Sequence, residues 1–274
     1  MGRWAIALTA TALVVVPVAI SQVGSATSVV RVLKLGSGAN KSAAVRCPVG
    51  SVAVSGGVQS PGTGTSVLAI RPSGSTAFVF RLANPADNPP QRVAVAVACR
   101  SLSGRANAPY FKASQARTRK IAILPGAKKQ VSFSCPSGTL AAGAGFDLAG
   151  TLLQVRRQTQ TLTGRSFVIR NRGTTARRAV LYATCLTLLL PPGSPRVRLQ
   201  VSVTTATTLV QPGDRVLTQR CPRGWFSLAT GYVLPAQLSV SGSAAVSGGG
   251  RWSVTNGGDQ PALADLQLTC GRVA

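Results

Sequence analysis

The chain has 274 residues, 30 basic side chains against five acidic ones, no histidine, and a formal net charge of +25. Without histidine there is no ordinary base for an acyl-transfer triad. Five scattered aspartates and no glutamate offer no paired carboxylates for glycoside hydrolysis. The composition therefore speaks against an enzyme, and for a protein that meets anions.

Residues 1–26 read as a secretory signal peptide: Arg3 is positive, Trp4 to Ile20 is apolar, and Gly24, Ser25 and Ala26 are small. The competing reading is an uncleaved anchor, but Thr9, Thr11 and Pro17 interrupt an apolar run that is short for a membrane span. No second stretch of spanning length follows, so the expected product is secreted, extracellular or in the cell envelope, with no stable membrane span after cleavage.

Beyond the leader, period-two alternation and Gly/Pro/Ser/Thr punctuation predict strands throughout and no sustained helix. The first set falls at Arg31–Leu35, Ala43–Cys47, Ser51–Val58, Val67–Ile70, the segment from Phe80 to Asn84, and Val93–Cys99. A second set includes Lys120–Leu124, Phe167 to Asn171 and Ala179–Cys185; a third includes Thr207–Val210, Trp252 to Asn256 and Ala264–Cys270. In the second set, Phe167, Ile169 and Asn171 share one strand face, and Val168, Arg170 and Arg172 share the other.

These sets repeat in register. Opening cysteines at Cys47, Cys135 and Cys221 each begin Cys-Pro-x-Gly, and closing cysteines at Cys99, Cys185 and Cys270 follow 52, 50 and 49 residues later. Ten residues after each opening cysteine stands a glycine with an apolar residue behind it: Gly57-Val58, Gly145-Phe146, Gly231-Tyr232. An aromatic-x-aliphatic-x-Asn segment then ends at Asn84, Asn171 and Asn256. Self-similarity at a fixed period marks a repeat architecture. The expected fold is all-β: three homologous antiparallel β repeats at residues 27–101, 102–190 and 191–274, with one disulfide in each. Six cysteines allow 15 connectivities; three similar units favour the pairs Cys47–Cys99, Cys135–Cys185 and Cys221–Cys270. Two arrangements stay open. Tandem small sandwiches would be joined by linkers at 101–119 and 186–198, whereas a pseudo-threefold β-prism would pack those segments tightly. The glycines resemble no phosphate loop, and no two cysteines stand as a ligand pair, so no cofactor or metal is expected.

The frame Phe133-Ser134-Cys135-Pro136-Ser137-Gly138, followed by Gly145-Phe146-Asp147-Leu148 and a closing cysteine, resembles the repeats of vitelline membrane outer layer proteins. That resemblance implies three internal repeats folded as a three-sided β-prism, and binding or transfer on chito-oligosaccharides. It covers one short motif per repeat. The family's Asp-Asp-Thr-Ala-type segment is missing, and the present repeats are longer. The chain is also similar to Cys-Pro-x-Gly repeat proteins exported by bacteria, whose role is unknown.

Charge is uneven: the three repeats carry net +7, +13 and +4. Most arginine-over-lysine bias matches the codon usage of a GC-rich genome, but the scarcity of acids leaves the middle repeat's cations without partners. Strand alternation directs Arg156, Arg170, Arg172 and Arg178 outward, and puts Arg157, Arg165 and Arg177 near strand ends and Lys128 and Lys129 in a turn. These nine residues form the expected anion-binding face. Its expected partner is an anionic envelope polymer or polysaccharide; nucleic acid is disfavoured, since Tyr110, Phe111 and Tyr182 are the sole candidate stacking platforms nearby. The alternative is a carbohydrate-binding module with a neutral-sugar site in each repeat.

Overall fold

The structure is a computed structural model that describes residues 26–60, 64–101, 110–190, 192 and 198–273. The expected leader up to residue 25, and parts of the two segments expected as linkers, lie outside the described residues. Among them no helix occurs, and every assigned pairing is antiparallel.

Each repeat contributes six strands in the same order. The first has β1 (Ala26–Leu35), β2 (Asn40–Arg46), β3 (Ser51–Ser60), β4 (Ser66–Ser73), β5 (Ala77–Ala83) and β6 (Gln91–Ser101). The second has β7 (Tyr110–Ile123), β8 (Lys128–Ser134), β9 (Leu140–Leu148), β10 (Leu153–Gln160), β11 (Gly164–Asn171) and β12 (Arg177–Leu189). The third has β13 (Leu199–Val210), β14 (Gly213–Arg220), β15 (Phe226–Val233), β16 (Leu238–Val246), β17 (Gly249–Asn256) and β18 (Ala262–Val273).

The repeats do not stand apart. One wall of six strands runs β2-β5-β4-β9-β12-β7, joining the first repeat to the second. A second runs β8-β11-β10-β15-β18-β13, joining the second to the third. The third is made of β14-β17-β16 and β3-β6-β1, which abut where Gly242 of β16 meets the Val58 carbonyl and Ser253 Oγ donates to Gln59 O at 3.2 Å. Three shared walls closed in a ring are the prism arrangement, not tandem sandwiches. β7 and β12 also run into the stretches expected as linkers.

The glycine landmark marks the seams of this ring. A Cβ on Gly231 would sit 2.5 Å from Gln158 O, that on Gly145 would strike Ile70 O, and that on Gly57 would strike Ser243 O. Ile70, Gln158 and Ser243 are equivalent positions, two residues beyond a β-bulge at Leu68, Arg156 and Ser241 respectively. Only glycine lets the neighbouring backbone come so close.

Each disulfide forms within its repeat, as the spacing predicts, and each crosses between walls. Cys47 follows β2 in the first wall while Cys99 lies on β6 in the third; Cys135–Cys185 ties the second wall to the first, and Cys221–Cys270 ties the third to the second. Three closed disulfides belong in an oxidising compartment.

Inside, the first two repeats share one large cluster around Phe78, Phe80, Phe133, Phe146 and Phe167, and the third has its own around Trp252 and Tyr232. A further cluster draws on all three: Val54, Ala142 and Leu228, which are the bulged residues of β3, β9 and β15, pack with Phe111, Leu186 and Ala245. Small residues such as Ala96, Ala98, Ala142 and Gly143 occur here because these strands are buried on both faces.

The repeated asparagine closes the outer end of each unit. Asn171 Nδ2 donates to Ile123 O (3.0 Å) and Thr175 O (2.8 Å), while Oδ1 accepts from Gly173 N (2.9 Å). Asn256 repeats the set with Val210 O, Gln260 O and Gly258 N, and Asn84 Nδ2 reaches Gly36 O and Pro89 O. All three are buried. Asn171→Ala strands buried backbone groups and is expected to lower stability by about 2 kcal/mol in a urea titration.

Candidate functional site

The nine cations expected on one face divide between two walls, because the middle repeat straddles them. On the second wall, Arg170 of β11 faces Lys128 of β8 on one side and Gln154 of β10 on the other, and Arg157 of β10 faces Val168. Arg172 is exposed just beyond the end of β11. Arg156 occupies the bulge of β10 and donates through Nη2 to Pro235 O and to Ala236 O, the latter at 3.1 Å, pinning itself to the third repeat. Burial lowers the Arg156 pKa; Tyr232 opposes that shift, and the nearby charges of Arg170 and Arg172 add to it. Lys128, Arg156, Arg157, Arg170 and Arg172 thus form one cluster.

Lys129 is exposed, but its Nζ donates to Ala122 O (3.3 Å), as Lys41 Nζ does to Lys34 O (3.2 Å) in the first repeat. It covers an edge carbonyl where β8 leaves β7. Arg178 and Arg177 lie on β12 of the first wall, Arg178 exposed and Arg177 half-buried with Nη1 on Ala149 O (3.1 Å). They belong to a different wall from the Arg170 cluster, although the Arg177 guanidinium lies beside Gly173, the residue after Arg172.

The structure corrects the expectation for Arg165. It is 1 % exposed and cannot belong to any surface face. It pairs across strands with Gln160 on the inward side of β11, and donates to Thr230 O at 3.3 Å and Ala142 O at 2.5 Å. Alternation places it with Phe167 and Ile169; its proximity to a turn in sequence hides that parity. Phe78 is the first repeat's counterpart, two residues before the strand aromatic Phe80. Burial without a carboxylate brings the Arg165 pKa down to about 9. Arg100 is a second buried cation, its pKa lowered to about 10 by burial, held by Ser227 O and stacked 4.5 Å from the Phe226 ring centroid. A lone interior cation carries a desolvation penalty. Arg165→Met, of similar length, relieves that penalty but strands Thr230 O and Ala142 O, so the denaturant midpoint is expected to move little and binding at the outer surface to stay unchanged.

Phe111 is likewise no stacking platform: it is fully buried, edge-to-face with Phe226 at 5.9 Å. Composition could not reveal where the middle repeat's one acid goes. Asp147 on β9 takes Arg81 of β5 at 2.6 Å and Arg71 of β4 at 3.8 Å, both from the first repeat. Among the described residues these are the ion pairs found, and they lie on the first wall. The second-wall cluster has no carboxylate partner there.

Among the described residues no group of side chains is suited to hold a metal ion. No protein-family model matches the chain, and a search of curated proteins finds no match.

Proposed function

We propose that this is a secreted, non-catalytic protein of the cell envelope that holds anionic polymers on the outer face of β8, β11 and β10. The observation that carries this reading is the cluster of Lys128, Arg157, Arg170 and Arg172 on one sheet face, with Arg156 turned aside at its margin, unneutralised by any carboxylate among the described residues. A rigid sheet presents such charges at fixed spacing, so a polyanion gains several contacts at little ordering cost, and long-range attraction speeds encounter. Three disulfides that lock the walls to one another suit an exposed extracellular scaffold.

Retention on immobilised polygalacturonate tests it. Wild type is expected to bind at low salt and to elute as screening grows, the Debye length falling to about 3 Å at molar ionic strength. Lys128→Ser/Arg170→Ser/Arg172→Ser is expected to elute at clearly lower salt, whereas Arg178→Ser on the other wall shifts elution little. Equal elution of the triple variant and wild type, or retention indifferent to salt, would overturn the reading. The carbohydrate alternative needs like sites in each repeat. The equivalent bulge positions carry Leu68, Arg156 and Ser241, which gives it no support.

A further inference from the structure

The bulges of β4, β10 and β16 surround a cavity of about 180 Å³ that all three repeats line. Val67, Val155 and Val240, each the residue before its bulge, face it together, and Arg156 and Ser241 stand at the bulges themselves. A smaller space of about 30 Å³ is lined by the next equivalent set, Ile70, Gln158 and Ser243. The larger cavity is therefore built by the threefold packing and is not a groove on one wall.

Its chemistry is asymmetric. Thr65, on its lining, is 7 % exposed and its hydroxyl has no hydrogen-bond partner, which is uncommon for a buried polar group. Arg156 uses Nη2 on the Pro235 and Ala236 carbonyls; its Nε and Nη1 donors have no protein acceptor among the described residues. No carboxylate lines the cavity, so a cation has no partner there. The three valines supply an apolar patch long enough for a short hydrocarbon tail, within a lining that also carries the polar side chains of Ser66, Thr151, Gln154 and Ser239. The volume corresponds to about six waters at about 30 Å³ each, smaller than a typical drug-sized ligand site.

We propose that this axial cavity binds a short-chain aliphatic monocarboxylate of about four to six carbons, a size set by the water-volume comparison, with the carboxylate on Arg156 and the Thr65 hydroxyl and the tail against Val67, Val155 and Val240. A guanidinium fork matches a planar carboxylate, and burying each methylene adds to affinity. The proposal does not depend on polymer binding at the outer face.

Calorimetric titration of the disulfide-intact chain with sodium pentanoate tests it. One saturable site per chain is expected, with acetate and 1-pentanol each weaker by about tenfold or more, the one lacking the tail and the other the charge. Arg156→Gln should weaken pentanoate by about tenfold or more. Val240→Phe should fill the cavity and abolish the site while polygalacturonate retention persists, which also shows that the variant folds. Should that variant fail to fold, Arg156→Gln decides. Absence of saturable binding, pentanol as tight as pentanoate, an indifferent Arg156→Gln, or multiple sites weakened by Lys128→Ser/Arg172→Ser would each overturn the proposal. The last result would instead mark surface ion pairing.

Discussion

Replacing Cys135 and Cys185 together with serine is expected to destabilise the protein by about 4 kcal/mol, from the chain entropy of a loop of about 50 residues. That loss would rival the whole folding free energy of many domains. The effect should exceed that of cutting a bridge within one sheet, because Cys135 follows β8 in the second wall and Cys185 lies on β12 in the first. Among the described residues no strand of the first wall pairs with a strand of the second, so without the bond the threefold ring can open at that corner. Equilibrium unfolding in guanidinium measures the loss. A shift of less than about 1 kcal/mol, well under the range for native disulfides, would show that packing alone holds the walls together. Peptide mapping without reductant should return Cys47–Cys99, Cys135–Cys185 and Cys221–Cys270.

Gly231→Ala is the second large effect, expected at about 3 kcal/mol, the upper part of the range for overpacking. The added methyl would lie 2.5 Å from Gln158 O and 3.2 Å from Gln267 Oε1. The first is backbone, held by the pairing of β10 with β11 and β15, so it cannot retreat without opening the seam between repeats. Gly138→Ala is the proper control. Its Cβ would meet nothing within 4 Å, and only its φ of +75° opposes substitution, at about 1 kcal/mol. Urea midpoints for the two variants should therefore separate clearly. Matching midpoints would remove the argument that these glycines exist for close approach at the seams.

The repeat itself is legible in the amino-acid order. Cysteine spacing, the Gly-apolar pairs and the aromatic-x-aliphatic-x-Asn segments all recur because each records a local requirement: a sulfur on an inward face, a strand with no room for a side chain, a turn that needs an amide. Strand alternation correctly turns Phe167 and Ile169 inward and Arg170 outward. Local pattern misleads where nearness to a turn outweighs parity, as at Arg165, and where an aromatic beside basic residues suggests an exposed ring, as at Phe111.

Local pattern decided the strands, the disulfide partners and the excess of positive charge, since these depend on neighbours along the chain or on composition. Tertiary structure alone decided which strands share a wall, because β4 with β9 and β10 with β15 join different repeats, and the glycine that recurs at each seam does not name the strand it will meet. That exchange splits the middle repeat's cations over two walls, sends Asp147 to Arg71 and Arg81, and gathers Val67, Val155 and Val240 around one cavity. Residues some 85 positions apart meet there only because the ring closes, and closure is a property of packed sheets.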